Sequence, residues 1–187
     1  MLSPQFDIYE QVAKVVRGKV ADIGFGTGFG THILTRNAQE VYGFDIDENG
    51  IRFAQRVFPI KKLHFQYGDI TKGLDDNGFD FVLMIDVIEH IKQDRKALLN
   101  AKKMLKQSGT FICSTPNRMS RYRKSEGHVR EYIPRELREL LKRVFVSVSL
   151  RDYKLDILNS PTENPILAVC RNEESVTQSK GKGKNNG

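Results

Sequence analysis

The sequence predicts an α/β domain built around a mostly parallel sheet that is covered by helices on both faces. Apolar runs typical of buried strands alternate along the chain with segments whose apolar residues recur at helical spacing. This alternation favours parallel strands joined by helical crossovers. A glycine-rich turn follows the first predicted strand and an acid ends the second, so a ligand site is expected at the carboxyl edge of the sheet.

The first half of the chain is predicted to alternate between helix and strand. Apolar runs predict the strands, and Pro59 ends the third helix. In chain order we predict helix 6–16, strand 19–24, helix 28–35, strand 40–45, helix 51–57, and strands 62–67 and 79–85.

The second half continues the pattern. Five apolar residues at helical spacing predict a helix that Gly109 ends: Ala97, Leu98, Ala101, Met104 and Leu105. Strand 110–115 is closed by Pro116, and Pro134 opens a further helix. Strands 145–150 and 165–170 complete a predicted domain of residues 1–171, a size that suits one well-buried core.

Composition separates a polar segment from this domain. Residues 172–187 contain one apolar side chain, Val176, so we predict a disordered polar and basic tail. Cys113 and Cys170 lie in apolar runs, which favours buried free thiols in a reducing cytosol. Because neither a secretory signal nor a membrane-length apolar run is found, a cytoplasmic location is predicted.

The segment 20–30 carries the most informative motif, an apolar strand followed by Gly24, Gly26 and Gly28. Alternating glycines let the backbone approach a ligand closely. Asp45 ends the next strand, where a carboxylate can accept hydrogen bonds from two ribose hydroxyls; helix capping is the alternative. The glycines complete G-x-G-x-x-G in neither register, which disfavours a pyrophosphate and hence an NAD-dependent oxidoreductase.

The motif Asp22-x-Gly24-x-Gly26-x-Gly28 closely resembles the D-x-G-x-G-x-G of class I S-adenosylmethionine (SAM)-dependent methyltransferases. Segments 43–46, 67–70 and 79–90 also match that family in order, and the resemblance covers most of residues 6–170. It implies a Rossmann-like, seven-stranded sheet with the last strand antiparallel, and SAM as cofactor. It further implies that the cofactor contacts Asp22, Gly24, Gly26, Gly28, Asp45, Ile46, Asp69, Ile70 and Asp86.

Two of these carboxylates have structural alternatives. In the family, the acid that matches Asp69 accepts from the adenine amino group, and the N–H of the next residue, here Ile70, meets a ring nitrogen. A turn-forming role is the alternative for Asp69. Asp86 and Glu89 have the spacing of a helix-capping box.

The acceptor chemistry is expected just after the fourth strand, at Asp86, Glu89 and His90. Methyl transfer from a sulfonium needs in-line positioning and, for a hydroxyl acceptor, removal of its proton. Two carboxylates and an imidazole on one turn can also hold a divalent ion such as Mg²⁺, which would lower the pKa of an acceptor hydroxyl. The sequence leaves metal use open.

The pattern acid-x-x-Glu-His at residues 86–90 resembles the type-11 group of ubiquinone-biosynthesis O-methyltransferases and, less closely, small-RNA 3′-end 2′-O-methyltransferases. In the RNA enzymes a Thr-Pro-Asn turn and a second histidine follow, and this chain has them at 115–117 and His128. It departs from them at Asp86, where they carry Glu, and lacks their Asn-x-Glu-Tyr-Asn continuation. The resemblance implies catalytic and metal-binding roles for Asp86, Glu89, His90 and His128.

Charge suggests what the acceptor carries. Residues 117–143 contain nine Lys or Arg against four Glu, and so supply +5 of the formal net charge of +7. Such an excess would attract phosphate or carboxylate groups, and a solvated basic face is the alternative.

We therefore predict an O-methyltransferase for a small, sugar-like or lipid-linked acceptor with an anionic group. Many sugar and lipid methyltransferases share the Thr-Pro-Asn and His-Val-Arg-Glu-Tyr segments, so a metal-dependent 2′-O-methyltransferase for RNA 3′ ends is the first alternative. A non-catalytic SAM- or nucleotide-binding module is the second. Because Asp-Val-Ile-Glu at 86–89 replaces the Pro-Pro-aromatic motif of base-modifying enzymes, DNA methylation is disfavoured.

Overall fold

The computed structural model describes residues 4–120 and 126–173, and within them it contains a seven-stranded sheet with helices around it. The strands are β1 (Lys19–Ile23), β2 (Glu40–Asp45), β3 (Leu63–Tyr67), β4 (Phe79–Ile85), β5 (Leu105–Thr115), β6 (Ser147–Arg151) and β7 (Ile166–Arg171). The helices are α1 (Pro4–Val15), α2 (Phe29–Leu34), α3 (Glu48–Val57), the short 3₁₀ helix Ile88–His90, α4 (Asp94–Met104) and α5 (Pro134–Lys142). Residues 174–187 of the predicted tail lie outside the described residues.

The strand order is β3-β2-β1-β4-β5-β7-β6. Strands β1 to β5 pair in parallel, and β7 is antiparallel to both of its neighbours. The predicted sheet, mostly parallel with its last strand antiparallel, is confirmed. Since the strand order reverses between β1 and β4, the carboxyl ends of these two strands form the crevice in which open α/β sheets bind ligands.

Helices cover both faces of the sheet because each longer helix carries an apolar stripe. Leu98 of α4 and Leu141 of α5 are fully buried on one face. Val12 of α1 and Leu34 of α2 are fully buried on the other. Each such side chain contributes about 1.5–3 kcal/mol of hydrophobic stabilisation, and this packing fixes the positions of the loops at the crevice.

The boundary between α4 and β5 corrects one prediction. The predicted helix through Leu105 to Gly109 is wrong, because α4 ends at Met104 and β5 begins at the next residue. Leu105 pairs with Phe79 of β4, and an ion pair of 2.7 Å joins Lys106 to Asp80. The apolar spacing of α4 extends to Leu105 by coincidence, and pairing with β4 makes this residue the start of a strand.

Two smaller expectations can be compared with the described residues. Both cysteines, Cys113 and Cys170, are fully buried free thiols, as predicted. No helix in the described ranges is both long enough and apolar enough to cross a bilayer.

Candidate active site

The glycine turn after β1 depends on its three glycines for different reasons. Gly24, Gly26 and Gly28 have φ angles of 71°, 60° and 81°, a left-handed conformation that favours glycine. A Cβ on Gly24 would lie 2.6 Å from a methyl of Val87, and one on Gly28 would lie 2.9 Å from the Cβ of Ala54. A Cβ on Gly26 would meet nothing within 4 Å. The turn is therefore packed at both ends and open in the middle, where a ligand can approach the backbone.

Asp45 is tied to this turn at the end of β2. One carboxylate oxygen accepts from the N–H of Gly26 at 2.8 Å, and the other accepts from the N–H of Asp47 at 2.9 Å. Each oxygen keeps a second lone pair with which to accept from a ligand hydroxyl. The cap of α3 is Asp47, whose side chain accepts from two backbone N–H groups of the helix. The capping alternative for Asp45 is thereby excluded.

A cavity of about 390 Å³ opens beside Asp45. Gly24, Asp45 and Ile46 form one part of its lining, residues 68–71 a second, and Val87 with residues 90–93 a third. Five predicted cofactor contacts thus lie around one space: Gly24, Asp45, Ile46, Asp69 and Ile70. Ile46 is 65% exposed and Ile70 is buried, so the cavity has both an open side and an apolar floor.

Asp69 forms a turn and also lines this cavity. One of its oxygens accepts from the hydroxyl and the N–H of Thr71 at 2.7 and 2.9 Å, and the hydroxyl bond is the main cause of a lowered pKa for Asp69. The other oxygen lies 3.6 Å from the ammonium of Lys72. The turn-forming alternative is therefore realised, and the carboxylate remains an ionised acceptor at the cavity wall.

Asp22 lies behind the glycine turn rather than on its open side. Its fully buried carboxylate accepts from the hydroxyl of Tyr9 at 3.0 and 3.1 Å and from that of Thr31 at 2.8 Å. Burial raises the pKa of Asp22 to about 7. The residue joins β1 to α1 and α2, so it supports the turn without facing either cavity.

A second cavity of about 600 Å³ meets the first one at Gly24. It lies between α1, the glycine turn and the end of β4, and its walls are largely aromatic: Phe6, Tyr9, Phe25 and Phe29. Asp86 supplies a carboxylate to it. Gly24, just after the end of β1, belongs to both linings, so the two cavities approach each other at this residue.

Asp86 has a φ angle of 53°, which is uncommon for a residue other than glycine. Ser114 of β5 supports this conformation. The N–H of Asp86 donates to the carbonyl and hydroxyl oxygens of Ser114 at 3.1 and 3.0 Å, and that hydroxyl donates to the carboxylate at 2.6 Å. Burial raises the pKa of Asp86. A strained backbone held by its surroundings is typical of functional positions.

Three of the four predicted acceptor-site residues meet in space. Glu89, His90 and His128 each offer a donor atom, and these atoms all lie within 4.8 Å of one another. Asp86 is not part of this group, and its carboxylate is bonded to Ser114. The predicted cluster is therefore divided: Asp86 lines the aromatic cavity, His90 lines the first cavity, and the group of three lies close enough to Asp86 for their charges to interact.

Glu89 is 1% exposed, and within the described ranges neither of its carboxylate oxygens has a hydrogen-bond donor at bonding geometry. Burial and the nearby charge of Asp86 raise the pKa of Glu89 to about 8. The 3₁₀ helix has no side-chain cap, so the capping-box alternative is excluded. A buried carboxylate of this kind is stabilised by a proton or by a cation.

Both histidine rings of the group are oriented through Nδ1. Nδ1 of His90 lies 3.1 Å from the carbonyl oxygen of Gly127, and Nδ1 of His128 lies 2.9 Å from a carboxylate oxygen of Glu131. The rings meet edge to face with their centroids 4.9 Å apart. Because carbonyl and carboxylate oxygens only accept, each Nδ1 carries a hydrogen, and in the neutral ring the lone pair is then on Nε2.

The segment that carries His128, residues 127–132, is fastened at two places. The N–H groups of Val129 and Arg130 donate to the carbonyl of Glu89 at 2.8 and 3.1 Å. The buried carboxylate of Asp94, at the start of α4, accepts from Arg130 at 2.6 Å and from the hydroxyl of Tyr132 at 2.9 Å. Sequence reasoning noted His-Val-Arg-Glu-Tyr only as a family pattern and missed Asp94, Glu131 and Ser114.

Three of the six basic residues described in stretch 117–143 form ion pairs. Arg118 pairs with Glu136 at 2.7 Å, Arg130 with Asp94, and Arg135 with Glu139 at 2.9 Å. Three further basic residues of this stretch, Arg121, Arg123 and Lys124, lie outside the described residues. Glu136 and Glu139 are already among the four acids counted in this stretch, so only Asp94 adds a negative charge beside it.

A family model described as "Methyltransferase domain" matches residues 21–113. The chain is 29% identical over 145 residues to a probable S-adenosylmethionine-dependent methyltransferase of Mycolicibacterium smegmatis, covering 72% of this chain and 54% of that relative. It is 33% identical over 110 residues to a ubiquinone biosynthesis O-methyltransferase of Cereibacter sphaeroides, covering 54% of this chain and 42% of that relative. The chain spans about half the length of these curated relatives.

Solved structures share the architecture. A TehB-like SAM-dependent methyltransferase from Corynebacterium glutamicum aligns with 90% of this chain and 88% of its own, with a TM-score of 0.70 and 21% identity. At that identity the likeness shows a common fold, which is Rossmann-like.

Proposed function

We propose that this chain is a class I SAM-dependent methyltransferase and that it methylates an oxygen of a small, sugar-like or lipid-linked acceptor that carries an anionic group. One observation carries the proposal. Two cavities border Gly24 at the end of β1, and each has a polar side chain able to handle an acceptor in its lining, His90 in the first and Asp86 in the second.

Residues that line the two cavities suit SAM. Gly26 leaves open space over the turn, Asp45 keeps lone pairs for ribose hydroxyls, and Asp69 with Ile70 lines the part of the cavity proposed for adenine. SAM, when bound, supplies a methyl group on a sulfonium that is already a good leaving group. The protein's remaining tasks are to align the acceptor and to take its proton.

The proton-handling groups are the two histidines and Glu89. Nε2 of His90 carries the lone pair, so His90 can accept a proton from an acceptor hydroxyl. Glu89, whose pKa is raised to about 8, can exchange a proton near neutral pH. Asp86, held by Ser114, presents its carboxylate to the aromatic cavity, where we assign it to orienting the acceptor.

A divalent ion fits the same group of residues. Glu89 offers two buried oxygens that lack donors among the described residues, and His90 and His128 offer imidazole nitrogens within 4.8 Å. Asp86 and Glu131 add negative charge nearby. Such an ion would lower the pKa of an acceptor hydroxyl and so assist its ionisation.

A second candidate is 2′-O-methylation of RNA 3′ ends. Its support is the packing of His128 against His90, together with the Thr-Pro-Asn turn. In that turn the fully buried Asn117 donates to the carbonyls of Pro161 and Glu163 at 2.8 and 2.7 Å. This contact joins the Thr-Pro-Asn turn to the loop that precedes β7.

The test is methyl transfer from SAM to a panel of catechols, phospho-sugars and short RNAs, with and without a chelator. The proposal expects transfer to a small acceptor. Transfer to RNA 3′ ends alone would favour the second candidate. Full activity in chelator would reject the ion while leaving His90 as the base, and SAM binding without transfer to any acceptor would reject the enzyme proposal.

A further inference from the structure

We infer that Glu131 is a positioning residue for His128, which it holds in one tautomer and one ring orientation toward Glu89 and His90. The inference rests on the acceptor site proposed above and gives a role to a residue that the motif leaves without one. A carboxylate oxygen of Glu131 lies 2.9 Å from Nδ1 of His128, and the two side chains are 9% and 5% exposed.

The chemistry of this pair sets the tautomer. An ionised carboxylate only accepts, so Nδ1 of His128 must carry the hydrogen, which leaves the lone pair on Nε2. The carbonyl of Gly127 imposes the same tautomer on His90. Both rings therefore have basic Nε2 atoms, the form in which histidine accepts a proton or binds a metal.

Hydrogen bonds fix the backbone on both sides of Glu131, and this limits the movement of its side chain. On one side, the N–H groups of Val129 and Arg130 are bonded to Glu89. On the other, the hydroxyl of Tyr132 is bonded to Asp94, and the carbonyl of Glu131 accepts from the guanidinium of Arg118 at 3.1 Å. Glu131 lies three residues after His128 on this fixed segment. The backbone therefore limits how far its carboxylate can move from Nδ1 of His128.

If Glu131 and His128 only stabilised the fold, the expected results would differ. A buried carboxylate and imidazole that only stabilise the fold would affect the melting temperature, and the tautomer would be of no consequence. A positioning role requires that loss of the carboxylate change the tautomer of His128 and the affinity for a ligand of Nε2, even in a variant that stays folded.

Ring tautomers can be measured directly by long-range ¹H–¹⁵N spectra of the full-length, metal-free protein at about pH 8, where an ordinary imidazole is neutral. We expect the Nδ1–H form for His128 in the wild type. Glu131→Gln should give a mixture of tautomers, because the amide can donate to Nδ1 as readily as accept from it. Glu139→Gln, which removes an exposed carboxylate paired with Arg135, should leave the spectrum unchanged.

A cobalt(II) titration provides the second readout. Glu131→Gln and Glu131→Ala should weaken Co²⁺ binding about 10- to 100-fold, with Glu139→Gln as the control. The inference is overturned if wild-type His128 is in the Nε2–H form, or if Glu131→Gln retains both the wild-type tautomer and the wild-type Co²⁺ affinity. If the wild type does not bind Co²⁺, the ion proposed above is rejected, and the tautomer of His128 in wild type and Glu131→Gln still decides the role of Glu131.

Discussion

Asp45 and Asp47 lie two residues apart after β2, and the structure gives them different roles. Asp45 fixes the glycine turn and faces the first cavity, whereas Asp47 caps α3. Asp45→Ala should therefore remove most of the stabilisation by SAM, because two ribose hydroxyls lose their acceptor. Asp47→Ala should lower the free energy of unfolding by about 1 kcal/mol and leave the SAM effect intact. Thermal unfolding with and without SAM measures both; equal loss of the SAM effect in the two variants would contradict these roles.

The buried carboxyl of Asp22 predicts a pH dependence of stability. Its pKa is about 7 in the folded protein against an ordinary value of 3.8, so between these limits the folded state holds a proton that the unfolded state has lost. Stability contributed by this proton is complete below the lower value and falls, by up to about 1.4 kcal/mol per pH unit, until the pH passes the upper one.

Asp22→Asn tests this, because the amide can still accept from Tyr9 and Thr31 without titrating. The unfolding free energy, measured by urea denaturation at a series of pH values, should fall less steeply with pH for the variant than for the wild type. Parallel pH profiles for the two proteins would mean that Asp22 does not hold the proton.

At this scale, sequence identified residue types better than their contacts. Gly24 and Asp45 were predictable, because a left-handed turn and an acceptor at a strand end have few alternatives. The roles of Asp22 and Asp86 were not predictable. Asp22 is buried behind the turn by contacts with α1 and α2, and Asp86 is bonded to Ser114, which lies 28 residues away in the sequence.

The buried carboxylate of Asp94 joins α4 to segment 127–132 beside the acceptor site. Tyr132→Phe removes one of its hydrogen bonds and keeps the ring in the core, so we expect the free energy of unfolding to fall by about 1 kcal/mol. Amide exchange at Val129 and Arg130 should become faster, because segment 127–132 loses one of its two hydrogen bonds to Asp94.

Tyr67→Phe is the matched control, since the Tyr67 side chain is 56% exposed. It should change neither stability nor exchange at segment 127–132. If Tyr132→Phe likewise leaves exchange there unchanged, the attachment to Asp94 does not hold the segment.

Element order was predictable because buried strands and amphipathic helices differ in period. The boundaries failed where tertiary pairing prevailed over local pattern. Leu105 continued the helical spacing of α4 yet pairs with Phe79 in the sheet, and α3 begins three residues before its predicted start because Asp47 supplies a cap.

For the whole molecule, we predict that the folded unit lies within residues 1–173. All seven strands fall inside the described ranges, and β7 ends at Arg171. A chain ending at residue 173 should therefore unfold at the same urea concentration as the full chain and bind SAM equally well. A lower midpoint for the shortened chain would assign a structural role to residues 174–187.

The seven-stranded sheet and its crevice could be inferred from motifs in order along the chain. The acceptor could not, because its site combines the 3₁₀ helix, segment 127–132 and α1, which are distant in sequence. Contacts such as those of the Val129 and Arg130 N–H groups with the carbonyl of Glu89 bring two of these elements together, and such contacts leave no periodic signal.

Binding of SAM in the crevice at β1 and β4 is measured most directly by thermal unfolding with and without ligand. SAM and its demethylated product should stabilise the full chain by about 2.7 kcal/mol at a hundredfold excess over the dissociation constant. NAD and NADP should have no effect at the same concentrations, because the glycine turn lacks the spacing for a pyrophosphate. Stabilisation by NAD without any response to SAM would show that the crevice is not a SAM site.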